Sequence, residues 1–328
     1  MNYFILAKIG NVNMKKTFQK TLIAAAAGVA MMSAVGTASA NSLLFPYFTT
    51  TTGAQSVLSL SMSNTGAATA SSEAIHYVYN YGATCLHFDG PGKASQNDLM
   101  QHSIASVAAG GFGKAVSTDA STPFYFPLAN TQGFLVVSTQ TTAGAAISGD
   151  MAIVDPSTGL VVSYAGITNG AETSSPAAGP INVNEGDFSG ITDKFFNLSF
   201  YPSATVTTSW FGVVTGNMNT AISTGANWAG AATLTNNGVV YNNDESPISG
   251  TATKTITCSG TVLPADLMNT AQAAAVGVNG GLVHSRVSAF ATGGTGLILN
   301  KLQTVLPAVG APFAGKTFLH REGAVAAF

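Results

Sequence analysis

Residues 151–164 read MAIVDPSTGLVVSY. Two apolar, β-branched runs, 151–154 and 160–164, flank Asp155-Pro156-Ser157-Thr158-Gly159. Proline presets φ at an early turn position and glycine accepts the positive φ near a turn's end, so the stretch predicts an antiparallel β-hairpin. The pattern recurs in both directions. Toward the N-terminus, 133–139 (GFLVVST) is a nearly continuous apolar run, as in a buried strand. Residues 74–79 alternate Ile75, Tyr77 and Tyr79 against Ala74, His76 and Val78, and 57–62 sets Val57, Leu58, Leu60 and Met62 among serines. Toward the C-terminus, 195–200, 205–214, 251–257 and 282–290 are β-branched and aromatic, with Asn, Gly and Pro between them. Antiparallel sheet is the expected result.

Two segments read as helix. Residues 97–108 follow Ser95, with Asp98 three positions on as in a capping box, and 266–276 follow Pro264. Residues 297–306 (LILNKLQTVL) fit a short helix or a strand equally, because periodicity does not separate the two over so short a run. The predicted architecture is all-β: an antiparallel β-sandwich, one large or two packed, with two short helical insertions. Residues 169–184, rich in Gly, Ser, Pro and Ala, are the candidate linker between N-terminal (41–168) and C-terminal (185–328) β-rich regions. An outer-membrane barrel is disfavoured although the chain ends in Phe328. Residues 321–328 lack the alternating bulky side chains of a lipid-facing strand.

Composition narrows the class. Of 328 residues only 12 are Lys or Arg and 14 Asp or Glu, against a usual charged share of about 25 %. Disorder combines low hydrophobicity with high net charge, whereas this chain is 46 % apolar with a formal charge of −2. So few cations and a pI near 6.2 argue against a nucleic-acid partner. The one apolar stretch that approaches a membrane span lies near the start. There Lys15, Lys16 and Lys20 precede the alanine-rich run 21–35, and Ala38-Ser39-Ala40 offers a small-x-small cleavage site. We therefore expect residues 1–40 to be a signal peptide, translated from Met14, with no transmembrane span after its removal. Cleavage takes four lysines and no acid, leaving a mature chain with a formal charge of −6.

The mature chain holds two cysteines, Cys85 and Cys258. An oxidising compartment favours their pairing, and closing so long a loop stabilises by roughly 4–5 kcal/mol on the chain-entropy argument. Each cysteine is followed by Asp-Leu-Met (98–100 and 266–268) and then an alanine-rich stretch, which raises an internal duplication as one reading and chance as the other.

Chemistry is thinly signalled. Cys85, His87, Asp89, Asp98 and His102 crowd into eighteen residues but match no zinc-ligand spacing, and a solvated loop is the simpler reading. Asn182, Asn184, Glu185 and Asp187 are candidate calcium ligands, with residues 242–245 (NNDE) a second oxygen-rich patch; an Asn/Asp turn is the default for both. The run 110–114 (GGFGK) lacks phosphate-loop spacing, and no nucleophile elbow appears. No cofactor is implied and no enzyme reading emerges. Among the aromatics, Trp228 stands between small and polar neighbours and is the candidate exposed platform for a sugar ring. Residues 42–48 (SLLFPYF) form an apolar arm that completes its own sheet or adds a strand to a neighbour.

These observations point first to an exported, non-enzymatic structural protein of the cell surface or extracellular space, with its own copies as partners in self-assembly. A binding module for surface glycans is the second reading and a secreted hydrolase the third. A periplasmic location stays open.

Overall fold

In the computed structural model the chain folds into four open antiparallel sheets. It describes residues 42–51, 54–64, 73–95, 97–105, 113–117, 124–126, 130–139, 145–155, 160–168, 186–204, 206–219, 226–305 and 316–325. The signal peptide, the 169–184 linker and the 156–159 turn therefore lie outside the described residues.

Residues 42–168 supply the first two sheets. Strands β1 (Ser42–Thr49), β3 (Glu73–Tyr81), β4 (Leu86–Ala94), β8 (Gln132–Thr139) and β11 (Ile167–Thr168) form sheet I, in the order β11-β1-β8-β3-β4. Sheet II has the order β10-β9-β2-β5-β6-β7. Its strands are β2 (Gln55–Asn64), β5 (Leu99–Ala105), β6 (Gly113–Ser117), β7 (Phe124–Phe126), β9 (Ala145–Asp155) and β10 (Leu160–Ala165). The predicted hairpin is the β9–β10 pair, in register from Leu160 opposite Asp155 to Ala165 opposite Asp150.

The other two sheets come from residues after 186. Strands β12 (Phe195–Phe200), β14 (Ala231–Thr235), β15 (Val239–Asn242), β16 (Pro247–Ser249), β17 (Thr253–Thr257) and β19 (Gly281–Ala291) form sheet III around β19. Sheet IV runs β18-β13-β20-β21, from β13 (Val206–Gly216), β18 (Ser259–Val262), β20 (Gly294–Val305) and β21 (Lys316–Arg321). The ambiguous run at 297–306 thus lies mostly in strand β20, with Leu306 outside the described residues.

Period-two alternation explains how the sheets stack. On β8, Leu135 and Val137 join a core with Leu43, Phe45, Leu58, Met100 and Met151, which fills the space between sheets I and II. Phe134 and Val136, pointing the other way, join Leu44, Tyr47, Phe211, Val213 and Ile298, a core shared by sheets I and IV. On β13 the split repeats: Trp210 and Val214 face a third core, with Leu198, Leu234, Val283 and Leu299, between sheets IV and III. The layer order is therefore II–I–IV–III, two sandwiches packed through their inner sheets. A strand covered on both faces must be apolar throughout, which is why 133–139 reads as a continuous run.

Pro46 in the middle of β1 is at first sight out of place, since proline cannot donate to a ladder. The β1–β8 register shifts between Phe45 and Phe48, a bulge that takes Pro46 and Tyr47 out of the pairing. The stranded backbone groups are satisfied by side chains. The Tyr164 hydroxyl accepts from the Tyr47 N–H at 3.1 Å and donates to the Tyr47 carbonyl, while Asn300 Nδ2 of β20 donates to the Pro46 carbonyl at 3.4 Å. Burial pushes the Tyr47 phenol up to about 12 and the Tyr164 phenol further above its ordinary value. The Tyr164 hydroxyl stays protonated, as its bond to the Tyr47 carbonyl requires.

One helix expectation is corrected and one is refined. Residues 97–105 are not helical, and 106–108 lie outside the described residues: β5 begins at Leu99, after Asn97 at φ +61°. The Asp98 carboxylate does take the Ser95 N–H, at 3.0 Å, but that contact closes a turn. Pairing with β2 and β6 on its two edges overrides the local preference, and Met100 and Ile104 enter the core two registers apart. Residues 266–276 divide into a 3-10 turn (Pro264–Leu267) and helix α1 (Thr270–Val276), separated by extended Met268 and Asn269. Asn269 and Gln272 cap α1 reciprocally. Because the first Asp-Leu-Met leads into a strand and the second closes a 3-10 turn, the two stretches share no local structure.

Candidate functional site

Cys85 and Cys258 are joined, with Cα atoms 5.9 Å apart across 173 positions of sequence. Cys85 lies in the turn between β3 and β4, Cys258 between β17 and β18, both at positive φ, so the bond ties sheet I to the junction of sheets III and IV. Around it the two sandwiches are also hydrogen-bonded. His87 Nδ1 meets Asn227 Oδ1 at 3.1 Å, Asn227 Nδ2 reaches the Thr84 carbonyl at 3.5 Å, and Gln132 Nε2 donates to Thr261 Oγ1 at 3.0 Å.

The polar cluster around Cys85 follows from this arrangement. Asp89 sits between His76 and His87, 3.9 and 3.8 Å from their Nε2 atoms, on the face of β3–β4 turned toward the second sandwich. Burial lowers the His76 pKa, and the Asp89 charge partly opposes that shift. Asp98 is engaged with Ser95, and the His102 side chain lies outside the described residues. Among the described residues no three His, Cys, Asp or Glu side chains are arranged to hold a metal ion.

Asn182, Asn184 and Glu185 lie outside the described residues. Asp187 is used locally: Oδ1 accepts the Ser189 N–H at 2.9 Å and Oδ2 the Asn217 amide at 3.4 Å. In the second oxygen-rich patch Asn242 Oδ1 accepts from the Asp244 and Ser246 N–H groups at 3.0 and 2.9 Å, an Asx turn between β15 and β16.

The expectation of an exposed Trp228 is corrected. The residue is 6 % exposed, and its indole N–H donates to the Val214 carbonyl at 2.9 Å. The small neighbours that made it look solvent-facing are what form its slot: a Cβ on Gly230 would overlap indole Cζ2, and one on Gly216 would lie 3.0 Å from Cη2. Gly230→Ala should therefore cost about 1–3 kcal/mol by overpacking, read from urea or guanidinium midpoints. Unchanged stability would mean that the indole has other room.

The concave feature with the best chemistry lies elsewhere, at one end of sheet III. It is an open cleft of about 570 Å³, inside the range of small-molecule sites. Gly281 is paired by Phe200 of β12 and by Asn242 of β15, so three strands converge on the N-terminal end of β19. Gly280, at φ +82°, and Gly281 permit that convergence, since a Cβ would strike the Phe200 carbonyl at the first and the Tyr241 carbonyl at the second. Alternation sends Leu198, Val240 and Val283 into the core and leaves Ser199, Tyr241, Leu282 and His284 on the outward face. The Tyr241 and His284 rings stand 5.2 Å apart at 51°. Past the end of β12, Tyr201 is 56 % exposed.

Beside the cleft is a buried charged network. Lys301 of β20 is 4 % exposed; its ammonium donates to Ser199 Oγ at 2.8 Å, pairs with Glu322 at 3.5 Å and lies 5.8 Å from the centre of the Tyr201 ring. Glu322 also accepts the Trp210 indole N–H at 3.2 Å. Sequence reasoning singled out only the 242–245 turn of this site, because Tyr201, Tyr241 and His284 are scattered over 84 positions and meet only through strand pairing. Comparison with family models, with curated proteins and with solved structures finds no match.

Proposed function

We propose that this chain is a non-enzymatic structural protein of the cell surface or extracellular space, exported by its N-terminal segment and able to associate with its own copies. The observation that carries the reading is the Cys85–Cys258 disulfide, which clamps two sandwiches whose inner sheets are already buried on both faces. Such a bond persists in an oxidising compartment. A body closed by three apolar layers and a covalent tie deforms little, as a load-carrying subunit requires. Sparse surface charge weakens the repulsion that keeps copies apart. Among the described residues no helix is long and apolar enough to cross a membrane.

Two measurements test it together. Fractionation and protease shaving of intact cells should find the oxidised chain outside the cytoplasmic membrane and accessible at the surface. Light scattering after size exclusion, followed by negative-stain microscopy, should show regular oligomers or polymers at micromolar concentration. A cytoplasmic, reduced chain that elutes as a clean monomer would overturn the proposal.

A further inference from the structure

We propose that the cleft between Tyr201, Tyr241 and the 243–245 turn is a binding site for a neutral carbohydrate. Two kinds of group converge there. Tyr201 presents more than half its surface to solvent, and Tyr241, tilted against His284, offers a second ring on the same side of sheet III. The tyrosine ring matches the C–H face of a pyranose while its hydroxyl reaches polar groups. Around these rings Asn243, Asn279 and Glu245 are exposed and line the opening. Amides and a carboxylate supply the donor and acceptor pairs that vicinal hydroxyls need.

Charge selects the class. Among the described residues no Lys or Arg lines the cleft, which disfavours phosphate, sulfate or uronate ligands. Lys301 is near but is committed to Ser199 and Glu322. Of the lining residues Glu245 alone carries a carboxylate, too little to single out a cation. The lining is also too rich in asparagine for a purely apolar ligand, whose entry would strip water from those amides without replacement. The platform is preorganised as well. The Asx turn of Asn242 holds residues 243–245, and the buried Lys301 ammonium beside the Tyr201 ring adds cation–π attraction to it. A site that does not have to order itself binds more tightly for the same contacts.

Affinity electrophoresis of the oxidised full chain, run through gels holding laminarin, galactomannan, xylan, hydroxyethyl cellulose, alginate or heparin, tests the site. Retardation by at least one of the four neutral polymers is expected. Tyr201→Ala should weaken it at least tenfold while lowering the melting temperature only slightly, because more than half of the residue is exposed and only its contact with Lys301 is lost. Tyr201→Trp should preserve it, and Asn243→Ala should reduce it. The proposal is overturned if no neutral polymer retards the chain, if retardation survives Tyr201→Ala, or if only alginate or heparin is bound.

Discussion

Deleting residues 41–48 is expected to abolish folding of the first sandwich. Strand β1 is an inner strand of sheet I, hydrogen-bonded to β8 on one edge and β11 on the other, and all eight of its residues are buried. Leu43, Phe45 and Phe48 fill the core against sheet II, while Leu44 and Tyr47 fill the core against sheet IV. At about 1.5–3 kcal/mol for each large apolar side chain, the five amount to a sum comparable with the ~5–15 kcal/mol that stabilises a whole domain. The loss is not confined to area. Without β1, the inner edge of β8 is unpaired, and Tyr164 and Asn300 lose the carbonyls they bond. Far-UV circular dichroism and near-UV spectra of the deleted protein should show lost strand signal and lost aromatic packing. A deleted chain that keeps a cooperative melt would show that β1 is dispensable. This also bears on strand exchange: in the structure the arm completes its own sheet. An assembly defect in the deletion would therefore reflect unfolding.

Removing the disulfide has the second largest expected effect. Cys85→Ser combined with Cys258→Ser should lower unfolding stability by about 5 kcal/mol, the chain-entropy value for a loop of this length. For a body of this size each kcal/mol moves the melting temperature by about 2–4 °C, so a fall of about 10–20 °C is expected. The change also has a signature of its own. The bond links two sandwiches that each have a separate core, so the variant should unfold in two resolved steps where the oxidised protein unfolds in one. Differential scanning calorimetry reads both the shift and the splitting. Equal melts for oxidised protein and double variant would mean that the shared core alone couples the sandwiches.

Much of the fold is legible in the chain because its cause is local. The Asp155–Gly159 turn chemistry and the alternation on either side of it require an antiparallel pair, and β9–β10 is that pair. The two cysteines of the chain have only each other as partners within it, and they are bonded. Pro264 marks the start of helical structure that forms, divided into a 3-10 turn and α1. Where edge pairing overrode local preference, reading failed: 97–105 carries a helix-start signal and good helix formers, yet β2 and β6 claim its backbone.

The site was hidden for a different reason. Trp228 attracted notice because its neighbours are small, and smallness in sequence means either exposure or a slot; packing against Gly216, Gly230 and the Val214 carbonyl decides for the slot. Tyr201 and Tyr241 carry no motif, and only the convergence of β12, β15 and β19 on Gly281 sets them around one cleft. By itself the sequence determined the class of fold, the partner of each cysteine and the burial of the 133–139 strand, because turn propensity, cysteine count and hydrophobic period act over a few residues or need no geometry. Tertiary structure alone decided the layer order, the strand identity of 99–105, the burial of Trp228 and the place of the cleft. Each of these depends on which edges and faces meet, and that is a balance of long-range pairing and packing that no short window of sequence contains.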